Sequence, residues 1–108
     1  METNKIKAVI QKPGEISEII SIDSTIEAFN RTVGGASARV ALGVGRLFLV
    51  INNYGGTKPN LMTDFGIIQG PVIIVAMDNG LYDSMTVEEI QTARSWLLRT
   101  AFSIGGIT

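Results

Sequence analysis

The chain contains no cysteine and no histidine. Together these absences exclude a disulfide framework, thiol redox chemistry, iron–sulfur ligation and the usual zinc sites. They also exclude any nucleophile that needs a histidine partner, whether Ser-His-Asp or Cys-His. Aromatic residues are scarce at 6% and charged residues reach 18%, against roughly 25% charged in an average soluble domain. With 45% hydrophobic residues in 108 positions, the chain can bury a core but has little charge to solvate a large surface, a composition that leans toward self-association. The nine basic residues are scattered and the net charge is −1, with a pI near 5.3. The electrostatic footprint of a general nucleic-acid binder is therefore missing. No apolar run approaches the ~18 residues of a membrane span, and Met1 to Lys12 lacks the apolar stretch of a signal peptide, so a cytoplasmic protein is expected.

What is present fits one domain, with an ordered core from about residue 5 to about residue 102. Ile6 to Ile10 reads as a strand ended by the Lys12-Pro13-Gly14 turn. Glu15 to Ile22 reads as a second strand whose polar–apolar phase slips near Ile19-Ile20, as a bulge would cause. Asp23 or Ser24 is placed to cap a helix from about Thr25 to Val33, with Ser24 and Glu27 at capping-box spacing and Gly34-Gly35 as its stop. No Lys or Ser/Thr follows that glycine pair at the spacing of a phosphate-cradling loop, so it reads as punctuation. Ala36 to Leu42 and Arg46 to Asn53 form a candidate hairpin, and the unbroken apolar run Leu47 to Ile51 suits a strand covered on both faces. The loop-favouring residues Asn52 to Asn60 mark the longest loop. Leu61 to Phe65 is a short extended segment, Ile67 to Pro71 a turn, and Val72 to Met77 a buried strand ended by Asp78-Asn79-Gly80. Tyr82 to Ser84 reads as the approach to the last helix. Thr86 and Glu89 form a capping box opening that helix, which runs from Val87 to about Phe102. These elements predict an α+β fold: a mixed or antiparallel sheet of about five or six strands, one short helix, and one longer C-terminal helix packed on one face.

On the last helix, Val87, Ile90, Leu97, Leu98 and Ala101 fall on one stripe at helical spacing, with Arg94 near its middle and Trp96 on the opposite side. A guanidinium in an apolar stripe needs an answering group. A carboxylate of this chain or of a second subunit is one; a planar anion, phosphate or carboxylate, is another; and snorkelling past the stripe is a third. Trp96 on a polar face suits an oligomer interface or a stacking platform. Tyr54, the Gly55-Gly56 amides and Lys58 could hold a base or a phosphate, although the same residues also make an ordinary surface loop. The candidate ligand set is therefore Arg94, Arg99, Trp96, Tyr54, Lys58 and Arg46. No spacing of carboxylates points to paired acid–base catalysis, so no catalytic residue, metal or cofactor is expected, and the chain reads as a non-enzyme.

Several local patterns occur together: Lys5-Ile6-Lys7-Ala8-Val9-Ile10, Lys12-Pro13-Gly14, Val33-Gly34-Gly35, Asn52-Asn53-Tyr54-Gly55-Gly56, Pro59-Asn60, Gly70-Pro71-Val72-Ile73-Ile74-Val75 and Ser84-Met85-Thr86-Val87-Glu88-Glu89. In this order they resemble the small proteins of phages and mobile elements grouped as domain of unknown function 3846. The stretch Ala36 to Gly45 departs from that pattern, where a more polar, aromatic-containing strand is expected. The resemblance implies a phage or mobile-element origin and a cytoplasmic site in an infected bacterium. Small non-catalytic proteins of this kind often counter host defence, and one strategy is to sequester the nucleotide signals that activate immune effectors. A homo-oligomer with Arg- and aromatic-lined pockets at its subunit boundaries would bind a cyclic nucleotide or nucleotide-derived ligand that way. The alternative is an inhibitor that docks on a host enzyme and binds no small ligand.

Overall fold

Strand β7 (Val72–Asp78) has no solvent face along most of its length: Val72 through Ala76 are all buried. Two layers must therefore cover it, and the rest of the chain is arranged to do so. In the computed structural model, which describes residues 4–56, 58–64 and 66–101, β7 is flanked by β1 (Lys5–Gln11) and β4 (Leu47–Asn52), both antiparallel to it. Beyond them lie β2 (Glu18–Asp23) and β3 (Ser37–Ala41), giving the order β2-β1-β7-β4-β3. The short strand β8 (Leu81–Asp83) continues from β7 through a hairpin at Asn79-Gly80. Both turn residues have positive φ, 51° and 80°, as the tightest hairpin turn requires. Every pairing is antiparallel.

Alternation along the strands separates two cores. On one face Ile73, Val75, Val50, Ile6, Ala8 and Ile22 pack against Ala28, Phe29 and Val33 of helix α1 (Ile26–Val33). On the other, Val9, Leu47, Leu49, Val72, Ile74 and Ala76 pack against helix α2 (Val87–Thr100) and the separate hairpin β5 (Pro59–Thr63)–β6 (Gly66–Gln69). The fold is α+β, with an antiparallel sheet, a short helix and a longer C-terminal helix, as the sequence patterns imply.

Several local expectations are corrected. The main sheet has six strands, within the five or six expected, and a separate two-stranded hairpin that the patterns do not announce lies beside it. The two unforeseen strands are β6, which overlaps the stretch read as a turn at Ile67 to Pro71, and β8, which overlaps the approach to the helix at Tyr82 to Ser84. The phase slip near Ile19-Ile20 is no bulge. The β1–β2 register runs unbroken from Lys5↔Asp23 to Ile10↔Glu18, and Glu15 to Ser17 lie outside the strand. The irregularity falls instead between Pro59 and Leu61 in β5. Helix α1 is capped by Thr25, whose side chain accepts from the Ala28 amide, because Asp23 is still held in β2 opposite Lys5. The capping box Thr86–Glu89 is present and Gly34 ends α1 at φ 88°.

The buried stripe of α2 is rotated from the expected one. Ile90, Ala93 and Leu97 face the core and Trp96 packs against it, whereas Val87 and Leu98 are 71% and 82% exposed. Ala93 has little hydropathy of its own, but its small side chain lets the helix approach the sheet, and that contact fixes the phase. Phe102 and the tail to Thr108 lie outside the described residues, as do Thr57 and Phe65. Ile74, wholly buried opposite Val9 and Leu49, tests the two-sided core. Ile74→Ala is expected to cost about 3 kcal/mol in urea unfolding, whereas Leu81→Ala on exposed β8 should stay within about 0.5 kcal/mol.

Candidate functional site

The six candidate ligand residues do not converge. Arg46, at the start of β4, is answered inside the chain: Nε and Nη2 donate to the two carboxylate oxygens of Glu89 at 2.9 and 2.8 Å, and Nη1 donates to Asp83 at 2.8 Å. The Arg46 hydrogen bonds, supported by the Thr86 amide, hold the Glu89 carboxyl down at about 2, against the opposing effect of desolvation. Hydrogen bonds from Arg46 and from the Ser84 amide also lower Asp83. With its charge met by a bidentate pair and a second carboxylate, Arg46 clamps β4 and β8 to the first turn of α2 and has little to gain from an anionic ligand. Trp96 does not lie on a polar face. It is half-buried against the α2-side core, because the rotated stripe carries it there.

Tyr54 is 85% exposed on a loop built by local bonds: its amide donates to Asn52 Oδ1 at 2.9 Å, and the Gly55 amide donates to the Asn52 carbonyl. Gly56 is pressed against Gly70, where an added Cβ would lie 2.8 Å from Gly70 Cα and N. The Lys58 carbonyl accepts from the Gly70 amide. These bonds anchor the described parts of the loop, and neither Tyr54 nor Lys58 lines the cleft that Arg94 borders. Arg99 is exposed on the last turn of α2 and makes no ion pair or side-chain hydrogen bond among the described residues.

Arg94 is different. Its Nε donates to Ser17 Oγ at 3.2 Å and its Nη2 to the Ser17 carbonyl at 3.3 Å. These are neutral acceptors; among the described residues no carboxylate lies within ion-pairing distance of it. It stands at the edge of a cleft of about 340 Å³ between the second half of α2 and the segment leading from β1 to β2. Ile16, Leu98 and Ala101 supply apolar walls, and Gln11, Glu15, Ser17 and Ser95 supply polar ones. Gln11 is buried, and its amide donates to the Glu15 and Lys12 carbonyls, fixing the turn that forms one wall. Behind it Asn60, 2% exposed, donates to the Gln11 and Gly70 carbonyls at 2.8 and 2.7 Å and so ties the β5–β6 hairpin to the end of β1.

Sequence reasoning singled out Arg94 but missed Gln11, Glu15, Ile16 and Ser17. Their only signal was the phase slip of the following segment near Ile19-Ile20, which reads as a bulge in a strand begun at Glu15. A second unforeseen cluster lies on the α1 face. There Arg39 donates to the Tyr82 hydroxyl at 2.8 Å and sits 5.7 Å from the ring centroids of both Tyr82 and Phe48. Those contacts satisfy Arg39 within the fold.

Comparisons with known protein families, with curated proteins and with solved structures find no match to this chain. Among the described residues no group of acidic side chains could hold a metal ion, and no helix is long and apolar enough to cross a membrane.

The Arg46–Glu89 pair makes stability depend on pH. The folded value of Glu89 lies below its ordinary 4.5, so its contribution is complete above that value and is lost as the pH falls toward about 2. Glu89→Gln keeps the capping-box hydrogen bond but removes the charge. In urea unfolding the variant is expected to be less stable than the parent at pH 7, with the gap closing between pH 4.5 and 2. A gap of constant size would show that the ion pair contributes nothing.

Proposed function

We propose that this protein is a non-enzymatic binding protein that holds a nucleotide-type anion in the Arg94 cleft and releases it unchanged. One observation carries the reading: Arg94 borders a partly apolar cleft with its charge met, among the described residues, only by the hydroxyl and carbonyl of Ser17. A guanidinium so placed keeps donors for a phosphate, and the bond to Ser17 Oγ orients its plane. The cleft volume falls at the lower end of the range for small-ligand sites. A base would rest on Ile16 and Leu98, with Glu15 as acceptor for an amino group. Neither Trp96 nor Tyr54 lines the cleft, so recognition would rest on the phosphate contact and apolar packing and not on aromatic stacking.

In the setting implied by the family resemblance, a phage or mobile element in an infected bacterial cytoplasm, such a protein would act by sequestering a signalling nucleotide and so countering host defence. Exposed Ile16 and Leu98 beside the cleft favour a second reading, an inhibitor that docks on a host enzyme through this surface.

Titration calorimetry with cyclic dinucleotides and nucleoside phosphates, followed by mass analysis of the released ligand, tests the proposal. Binding with an unchanged ligand mass is expected. Arg94→Ala should weaken it by roughly 10- to 100-fold, the worth of one charge-assisted contact, without moving the urea midpoint. Binding by the parent that Arg94→Ala leaves intact, or a ligand recovered chemically altered, would contradict it. No binding of any nucleotide would favour the docking inhibitor.

A further inference from the structure

The rotated phase of α2 leaves a stripe that the other described residues do not cover. Val87 and Leu98 are eleven residues apart, which places them within roughly 20° of each other around the helix and about 16 Å apart along it. Both are more than two-thirds exposed, and so is Ile16 beside Leu98 at the cleft. Arg94 lies between them on the same stripe, and Gln91 lies close to it. Flanking the stripe on one side are Glu88 in the first turn and Arg99 in the last, at roughly 100° and 120° from Val87. Neither forms an ion pair among the described residues.

From this arrangement we infer that α2 is the interface of a two-fold homodimer in which the α2 helices of two copies pack antiparallel. A two-fold axis midway between Gln91 and Arg94 sets Val87 against Leu98 of the partner subunit, and Arg94 against Gln91 of the partner subunit, whose side-chain carbonyl can accept from the guanidinium. The same operation leaves the flanking residues on one side of the pair. It brings Glu88 to within about 3 Å, along the helix axis, of Arg99 of the partner subunit, and the reverse pair forms by symmetry. Charge decides the direction. A parallel two-fold pair would put the two copies of Glu88, and the two of Arg99, on opposite flanks where neither charge is met, whereas the antiparallel one matches acid to base twice and also opposes the helix dipoles favourably. Because Arg94 lies in mid-stripe, pairing turns each cleft into a pocket walled by both copies. The pairing itself does not rest on any ligand.

Sedimentation equilibrium of the full chain tests this without touching the cleft. The parent is expected to dimerise. Glu88→Arg and Arg99→Glu should each weaken the dimer by about tenfold or more, since each replaces two attractions by two repulsions. Mixing the two variants restores both ion pairs, so the mixture should form a heterodimer within about threefold of the parent affinity. A monomeric parent, single variants that dimerise like the parent, or a mixture no tighter than its components would each overturn the inference. Nucleotide binding by the parent and its loss in Arg94→Ala are read separately, so failure of the dimer and failure of the ligand reading are told apart.

Discussion

The fold depends on a strand that must be buried on both sides. From Val72 to Ala76 every side chain of β7 is apolar or small and none reaches solvent, so the sheet cannot leave one face wet as many antiparallel sheets do. One face takes α1 and the other takes α2 with the β5–β6 hairpin. Since α1 is only eight residues long, the α2 side carries the longer cover, and it is there that ties of long sequence separation accumulate. Asn60 reaches from β5 to β1 and to Gly70, and Arg46 reaches from β4 to α2 and β8.

Those ties divide the arginines by role. At the N-terminal end of α2, Arg46 meets two carboxylates and the capping box in one cluster, and its charge is spent on holding three elements together. On β3, Arg39 is stacked between two rings and bonded to a phenol. Toward the C-terminal half of α2, Arg94 has only a serine among the described residues. A charge compensated by neutral dipoles at the rim of an apolar cleft gains more from an incoming anion than one already in a bidentate pair. That contrast within a single chain makes the Arg94 cleft the functional candidate.

Much of the architecture was legible because its signals are local. Asn79-Gly80, the Thr86–Glu89 box, the Gly34 stop and the apolar run of β4 each depend on backbone preferences a few residues long, and each has the form its residues dictate. What was not legible depends on distant partners. Nothing near Asn60 announces that it will be buried, because its partners are the carbonyls of Gln11 and Gly70. Gly66 to Gln69 is a strand only because β5 lies beside it. The site suffered most from the phase of α2. Hydropathy assigned weight to Val87 and Leu98 and none to Ala93, so it placed Arg94 in the core stripe and Trp96 outside, the reverse of what packing requires. Arg94 was still the right residue to question, since a long cation among apolar neighbours is informative in either phase. Arg46 looked free because Glu89 is 43 residues away in the chain.

The most direct measurement of this account is the proton–nitrogen NMR spectrum of the arginine Nε–Hε groups, recorded as a cyclic dinucleotide is titrated into the protein. If the contrast between answered and unanswered arginines sets the site, the Arg94 resonance will move and sharpen to saturation while those of Arg46 and Arg39 stay in place. A stationary Arg94 resonance, or equal and unsaturating shifts at all the arginines, would contradict it.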